Sequence, residues 1–489
     1  MEKCDLLLLG GVVIDGSGQA RHRADVAVHQ GVIVAVGDLH HMSADEVVDV
    51  GGLVVAPGFI DVHTHDDRLL LADPLMQPKV SQGVTTVITG NCGISLSPLG
   101  SHDPVPPLNL VADPTAHRFE TFMSYFGALE ASPPAVNVAS LVGHTTLRVV
   151  CMDDVGRAAR PDEIARMQAL VREALDAGAI GLSTGLYYAP AQAATADEVR
   201  EVCEPLRGTN ALIASHLRNE GDEVLVAMTE AMTIANELGV RQVLSHHKVM
   251  GSANFGRSTE TLALIDRARG QGDVCLDCYP YTAASTVLRQ DAVEQASRTL
   301  ITWSEASPEA SGRYVDDLLK ERGGDLTSLL QSLQPAGAIY FIMDEADVER
   351  ILAYPETMVG SDGLPHDTFP HPRLWGAFPR VLGHYTRDRK LFPLETAVHK
   401  MTGLSATRFG LADRGFVRPG YGADLVVFDP DRVADRATFK DPKLCAAGIA
   451  RVYVNGVLSW HDGASSGARA GKVLRRAGSI AFNKPETEQ

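Results

Sequence analysis

Two histidines separated by one residue, His63-Thr64-His65, close an apolar run over 54–62. On an extended strand, residues two apart point to one face, so both imidazoles could reach a single metal ion. Such a pair also arises by chance on a polar strand face, and the reading therefore depends on further ligands. The chain offers them in Thr89-Gly90-Asn91-Cys92-Gly93, Ala214-Ser215-His216, Leu244-Ser245-His246-His247 and Val359-Gly360-Ser361-Asp362-Gly363. Each of Cys92, His216, His246 and Asp362 follows a strand-like run, and together with His63 and His65 they are hard to obtain by accident. Thiolate and imidazole side by side favour zinc over magnesium or calcium.

Residues so distant in sequence meet only if the strands that precede them lie next to one another. Eight apolar runs qualify, at 59–65, 84–90, 136–142, 179–183, 212–217, 242–247, 274–279 and 357–362. Between them, apolar residues recur at three- and four-residue spacing, most clearly over 160–177, 222–238 and 258–269, which predicts helices. Eight strands alternating with helices predict an α/β chain, a (β/α)8 TIM barrel whose reactive groups sit at the C-terminal strand ends. Short strand-like runs separated by glycines occupy residues 1–57 and return after 412, so a small β-sandwich built from both termini is expected beside a barrel over 58–411. The connection after the seventh strand, 280–355, is long enough to be an inserted, lid-like segment.

Composition narrows the class further. With 489 residues, 45% of them hydrophobic, the chain can bury a large core. A formal net charge of -17 and the lack of any Lys/Arg-rich run argue against a nucleic-acid partner. The apolar run over 6–9 is too short for a signal peptide, and no stretch is long enough to span a bilayer, so no membrane association and a cytoplasmic location are expected. Seven scattered cysteines do not form a disulfide framework. Cys275 and Cys278 match CxxC, but on a strand positions i and i+3 face opposite sides, so two packed core thiols are expected there. Oligomeric state is not legible.

Longer motifs carry a family likeness: Pro57-Gly58-Phe59-Ile60-Asp61-Val62-His63-Thr64-His65-Asp66-Asp67, Gly83-Val84-Thr85-Thr86-Val87, Gly90-Asn91-Cys92-Gly93-Ile94-Ser95, Ser245-His246-His247-Lys248 and Gly360-Ser361-Asp362-Gly363-Leu364-Pro365-His366. With these the chain resembles the amidohydrolase superfamily and, within it, the D-aminoacylases (N-acyl-D-amino-acid deacylases). The resemblance implies zinc held tightly by Cys92, His216 and His246, a second, weaker position at His63 and His65 that Cys92 can bridge, and Asp362 as acid/base. A check independent of the likeness comes from lysine. Hydantoinases and dihydroorotases use a carboxylated lysine on the fourth strand as the bridging ligand, and this chain has no lysine between Lys79 and Lys248.

The implied reaction is hydrolysis of a small N-acyl-D-amino acid to a carboxylate and a free D-amino acid, by water activated at zinc with Asp362 carrying the proton. Arg373, just after the eighth strand, is placed to grip the substrate α-carboxylate through two bonds. Tyr188, after the fourth strand, resembles the family's substrate tyrosine, and Lys248 and Ser285 are similar candidates. Tyr340 and Met343, in the insertion, are expected to close over the substrate side chain. His144 and His247 read as structural, and His366 and His371 as loop residues. Three alternatives stand beside this reading: a deacylase specific for N-acyl-D-glutamate or N-acyl-D-aspartate, another zinc amidohydrolase acting on a cyclic amide, and a non-catalytic scaffold of the same fold.

Overall fold

The computed structural model describes residues 3–113 and 118–476. Eight strands, Phe59–Asp61, Val84–Thr89, Asn137–Gly143, Gly181–Gly185, Leu212–His216, Arg241–Leu244, Val274–Cys278 and Thr357–Val359, form one sheet in chain order. Successive strands pair in parallel, for example Leu212 with Arg241 and Leu276 with Thr357. Every residue of the second, third and fifth strands is buried, as expected for parallel strands covered on one face by helices and on the other by the barrel interior. The first and eighth strands are the sheet's two edges, and a parallel bridge between Thr64 and Gly363 brings them together. This is the (β/α)8 barrel that the alternation predicts.

Local chemistry sets the helix ends. Pro161–Ala177 begins with proline in its first turn and the Glu163 carboxylate accepting the Arg160 N–H at 2.7 Å, and it ends at Gly178, whose φ of 114° suits glycine. Val224–Leu238 stops in the same way at Gly239, φ 66°. Two barrel strands end earlier than the apolar runs suggest: the first at Asp61, not residue 65, and the eighth at Val359, not residue 362. At the barrel mouth the ladder gives way to single backbone bonds, such as Asp362 N–H to His63 O at 2.8 Å, and to hydrogen bonds with side chains.

Two further sheets lie beside the barrel. Lys3–Leu9, Asp25–His29, Val32–Gly37 and Ser43–Asp49 form a four-stranded sheet. A seven-stranded sheet joins Val12–Val13, His22–Arg23 and Val54–Pro57 from the N-terminal side to Leu425–Phe428, Ile449–Val454, Val457–His461 and Ala464–Ser465. Leu6, Val26 and Val48 of the first sheet and Val55, Leu425 and Val427 of the second share one core, the packing of a sandwich. The run over 54–62 is thus divided between two sheets: Val54–Pro57 pairs with Leu425–Phe428, and after Gly58 the chain enters the barrel.

The connection after the seventh strand is folded. Ala283–Val287, Arg298–Ser304 and Ala336–Phe341 form an antiparallel sheet with the last of them in the middle. Its final helix, Glu345–Ala353, belongs to the barrel's outer layer, since Val348, Ile351 and Leu352 pack with Leu276 and Cys278 of the seventh strand. Among the described residues no helix is long and apolar enough to cross a membrane.

Candidate metal centre

The six residues that could ligate metal or move a proton all lie at C-terminal ends of barrel strands. His63 and His65 follow the first strand, Cys92 the second, His246 the sixth and Asp362 the eighth, while His216 ends the fifth. The structure brings them into two overlapping groups, Cys92 with His216 and His246, and Cys92 with His63, His65 and Asp362; in each, the candidate ligand atoms lie within 4.8 Å of one another. Cys92 Sγ is 3.2 Å from His63 Nε2 and 3.3 Å from His246 Nε2, which is itself 3.0 Å from His216 Nδ1. His65 Nε2 lies 3.2 Å and His63 Nε2 3.6 Å from Asp362 Oδ1. The two histidines converge although they stand beyond the end of their strand, because Thr64 is held extended by its bridge to Gly363.

The backbone is bent to achieve this. Cys92, His246 and Asp362 adopt φ of 55°, 36° and 49°, in the left-handed region that side-chain-bearing residues rarely occupy. Cys92 sits between two glycines for a related reason. A Cβ on Gly90 would fall 1.9 Å from the Leu141 carbonyl oxygen, and one on Gly93 2.7 Å from the Gly185 nitrogen. The turn can approach the neighbouring strands only because both positions lack a side chain.

Carboxylates behind the imidazoles orient them, and sequence reasoning missed these. Asp277 Oδ1, at the end of the seventh strand, lies 3.3 Å from His63 Nδ1 and accepts the His246 backbone N–H at 2.9 Å. Glu220 Oε1 is 3.1 Å from His246 Nδ1 and receives Lys248 Nζ at 2.8 Å; its Oε2 is 3.6 Å from His216 Nε2. Such partners turn the other ring nitrogen toward a shared metal. Glu220 could have been found from its spacing, four residues after His216; Asp277 was hidden inside the CxxC segment.

The electrostatics suit a metal. Burial opposes ionisation of Cys92, but the facing His63 and His246 and hydrogen bonds from His216 and His246 outweigh it and hold the thiol well below its ordinary range. Burial likewise opposes an ionised Asp362, yet the Arg373 guanidinium and the His65 hydrogen bond keep its carboxyl well below the usual carboxylate value. A buried thiolate ringed by imidazole nitrogens is the donor set that zinc prefers, and one cation between them would satisfy all three groups. Cys275 and Cys278 offer no such set. They face opposite sides of the seventh strand into separate cores, and burial pushes the Cys275 thiol up to about 12.

Above the centre lies a cleft walled in part by Tyr188, Lys248, Ser285 and Tyr340. Tyr188 OH shares a hydrogen bond of 3.0 Å with Thr286 Oγ1, and its ring packs edge-on to His216. Tyr187, stacked on His216, and Tyr279 also line the cleft, and neither was foreseen. Tyr340 presents its ring while its hydroxyl is engaged, donating to Val287 O at 2.8 Å and accepting from Arg289 N at 2.9 Å.

Met343 is a correction. Alternation sends Tyr340 and Ile342 into the cleft and Met343 to the other side, into a separate cavity with Cys278 and Val348. Arg373 is fully buried behind Asp362, with Nη1 2.9 Å from Asp362 Oδ2 and Nη2 donating to Ser285 O at 3.0 Å. His371 ties Arg373 N to Ala283 O, His247 bonds Thr261, His366 accepts from Arg68, and His144 packs near Glu198.

Known proteins are similar to this chain along nearly its whole length. A D-aminoacylase of Alcaligenes xylosoxydans xylosoxydans is 58% identical, covering 96% of this chain and 98% of its own. An N-acyl-D-aspartate deacylase from the same organism is 53% identical, with coverage of 99% and 97%. The crystal structure of N-acyl-D-glutamate deacylase from Bordetella bronchiseptica, complexed with zinc and a phosphonate mimic of the tetrahedral intermediate, superposes with a TM-score of 0.93 at 47% identity, covering 97% of this chain and 100% of that one. The model of the amidohydrolase family matches residues 46–250 and 315–459, a span that takes in every candidate ligand and Asp362, and the chain belongs to that family.

Proposed function

We propose that this protein is a zinc-dependent deacylase that hydrolyses N-acyl-D-amino acids to a carboxylate and a free D-amino acid. The observation that carries the reading is the sharing of Cys92 by two ligand groups, one of which includes Asp362, on the floor of a single cleft. Cys92, His216 and His246 would hold one zinc, and His63 and His65, with Cys92 between, a second position. Zinc bound there supplies Lewis acidity toward the scissile carbonyl and toward water. Asp362 accepts the proton of the attacking water and returns it to the departing amine, so one carboxylate serves both steps. Asp277 and Glu220 keep the imidazoles of His63 and His246 aimed.

The cleft favours apolar substrates. Ile94, Leu110, Met250, Ala292, Ile342 and Leu364 line it, and the Lys248 ammonium in its wall is already paired with Glu220. A second carboxylate, as on N-acyl-D-glutamate or N-acyl-D-aspartate, would be buried without a free partner, which is costly. A panel of N-acyl-D- and L-amino acids assayed for amine release tests both statements. Turnover of N-acetyl-D-leucine well above N-acetyl-D-glutamate, N-acetyl-D-aspartate and every L-substrate is expected. Preference for an acidic substrate would make the chain a counterpart of the acidic-specific deacylases, and a purified protein without zinc and without turnover would return it to the scaffold class.

We assign Arg373 to the substrate α-carboxylate. Its Nε and Nη1 have no hydrogen-bond partner among the described residues, so the guanidinium keeps donor capacity beyond its ion pair with Asp362 and its bond to Ser285. Arg373→Lys retains the charge and loses the planar fork, so kcat/KM should fall by about ten- to a hundred-fold, or roughly 1.5–3 kcal/mol, on acid substrates. The loss should shrink on the corresponding neutral amides, where the contact is already missing. Equal losses on both would place Arg373 solely behind Asp362.

A further inference from the structure

The barrel's seam lies beneath the centre. The first and eighth strands have no ladder between them, only the Thr64–Gly363 bridge and the Asp362 N–H donated to His63 O at 2.8 Å. Side chains supply what the backbone does not. Asp61 Oδ1 accepts the Ser361 N–H at 2.8 Å, and Asp61 Oδ2 receives Lys79 Nζ at 2.8 Å. Lys79 Nζ also donates to Ser361 Oγ at 2.9 Å and lies 3.1 Å from Asp66 Oδ2. Lys79, Asp61, Asp66 and Ser361 are all completely buried.

One ammonium thus holds a carboxylate of the first strand, a hydroxyl following the eighth, and the carboxylate next to His65. Burying three charges is an expensive way to gain stability, and an apolar set of equal volume would serve as well. What the charges add is a fixed geometry at this point. Asp61 precedes His63 by two residues, Asp66 follows His65 directly, and Ser361 directly precedes Asp362. The cluster therefore grips both sides of the His63–His65–Asp362 group, while His216 and His246 stand on the fifth strand and just past the sixth, outside its reach.

We propose that Lys79 is a positioning residue that sets the gap between His63/His65 and Asp362, and through it the affinity of the second metal position, leaving the Cys92–His216–His246 position unaffected. The inference rests on the zinc-deacylase reading for the identity of the metal. Its test needs no substrate. Chelated protein is titrated with zinc while metal per chain and Tm are followed, for wild type, Lys79→Met, Ser361→Ala and the double variant Asp61→Asn/Lys79→Gln. The double variant removes the Asp61 and Lys79 charges, keeps neutral hydrogen-bonding groups in their place and leaves Asp66 as the remaining carboxylate of the cluster.

The first zinc should bind as in wild type in every variant. The second should bind more weakly by about 10- to 100-fold in Lys79→Met, the usual cost of losing a group that orients a ligand, with a smaller loss in Ser361→Ala and partial recovery in the double variant. Should Lys79→Met fail to fold, Ser361→Ala and the double variant decide. An unchanged second affinity, both metals weakened in parallel with Tm, or a wild type that takes up a single zinc would each overturn the proposal. Failure of every substrate in the amide panel would overturn the deacylase reading while leaving this metal titration to stand or fall by itself.

Discussion

Asp362→Asn should keep zinc at Cys92, His216 and His246 and lose turnover by at least about 10²–10⁴-fold, the contribution typical of a general acid/base group. The amide is nearly isosteric with the carboxylate and cannot take up the water's proton. Because the variant also deprives the buried Arg373 of its anionic partner at 2.9 Å, some loss of Tm is expected, and the rate must be read on folded, metal-bearing protein. Metal content close to wild type with kcat reduced by those factors is the expected pair of results. A kcat within a few-fold of wild type would remove Asp362 from the reaction.

Cys92→Ala should have the other large effect, and a different one: loss of most of the bound zinc together with activity. The thiolate is the one anionic donor among the three residues of the first group and the one atom common to both groups. Its removal should exceed the about 10- to 100-fold cost of losing a group that merely orients a ligand. Cys275→Ala and Cys278→Ala serve as controls, because their thiols are buried in separate cores away from the centre, and zinc content should not change in either. Full metal occupancy and near-normal turnover in Cys92→Ala would exclude it as a ligand.

Particular residues show how far the sequence could be read. The helices that stop at Gly178 and Gly239 were legible because apolar spacing is a local pattern, and it runs out at residues 177 and 238. Barrel strands were legible as buried apolar runs, and their order followed from alternation with helices. His63 and His65 were found with a partly mistaken reason: the spacing implied a strand, whereas the strand ends at Asp61 and a bridge across the seam holds Thr64 extended. Met343 was misplaced because the face of a strand reverses at each residue, and one position decides between the cleft and the cavity behind it. Asp277 and Lys79 were passed over because a buried polar group announces itself only through its partners, and His63 for the one and Ser361 for the other lie far away in sequence.

The sequence by itself determined the family, the barrel, and the kinds of donor atoms available, since each depends on residue type, short-range periodicity or the order of motifs. Tertiary structure alone decided which nitrogen faces which sulfur, that Arg373 stands behind Asp362, and that Lys79 fastens the first strand to the eighth. Those outcomes depend on distances of a few ångströms between groups separated by as many as 300 residues. Such distances are fixed by closure of the barrel, where strands from opposite ends of the chain become neighbours, and no local pattern of residues records them.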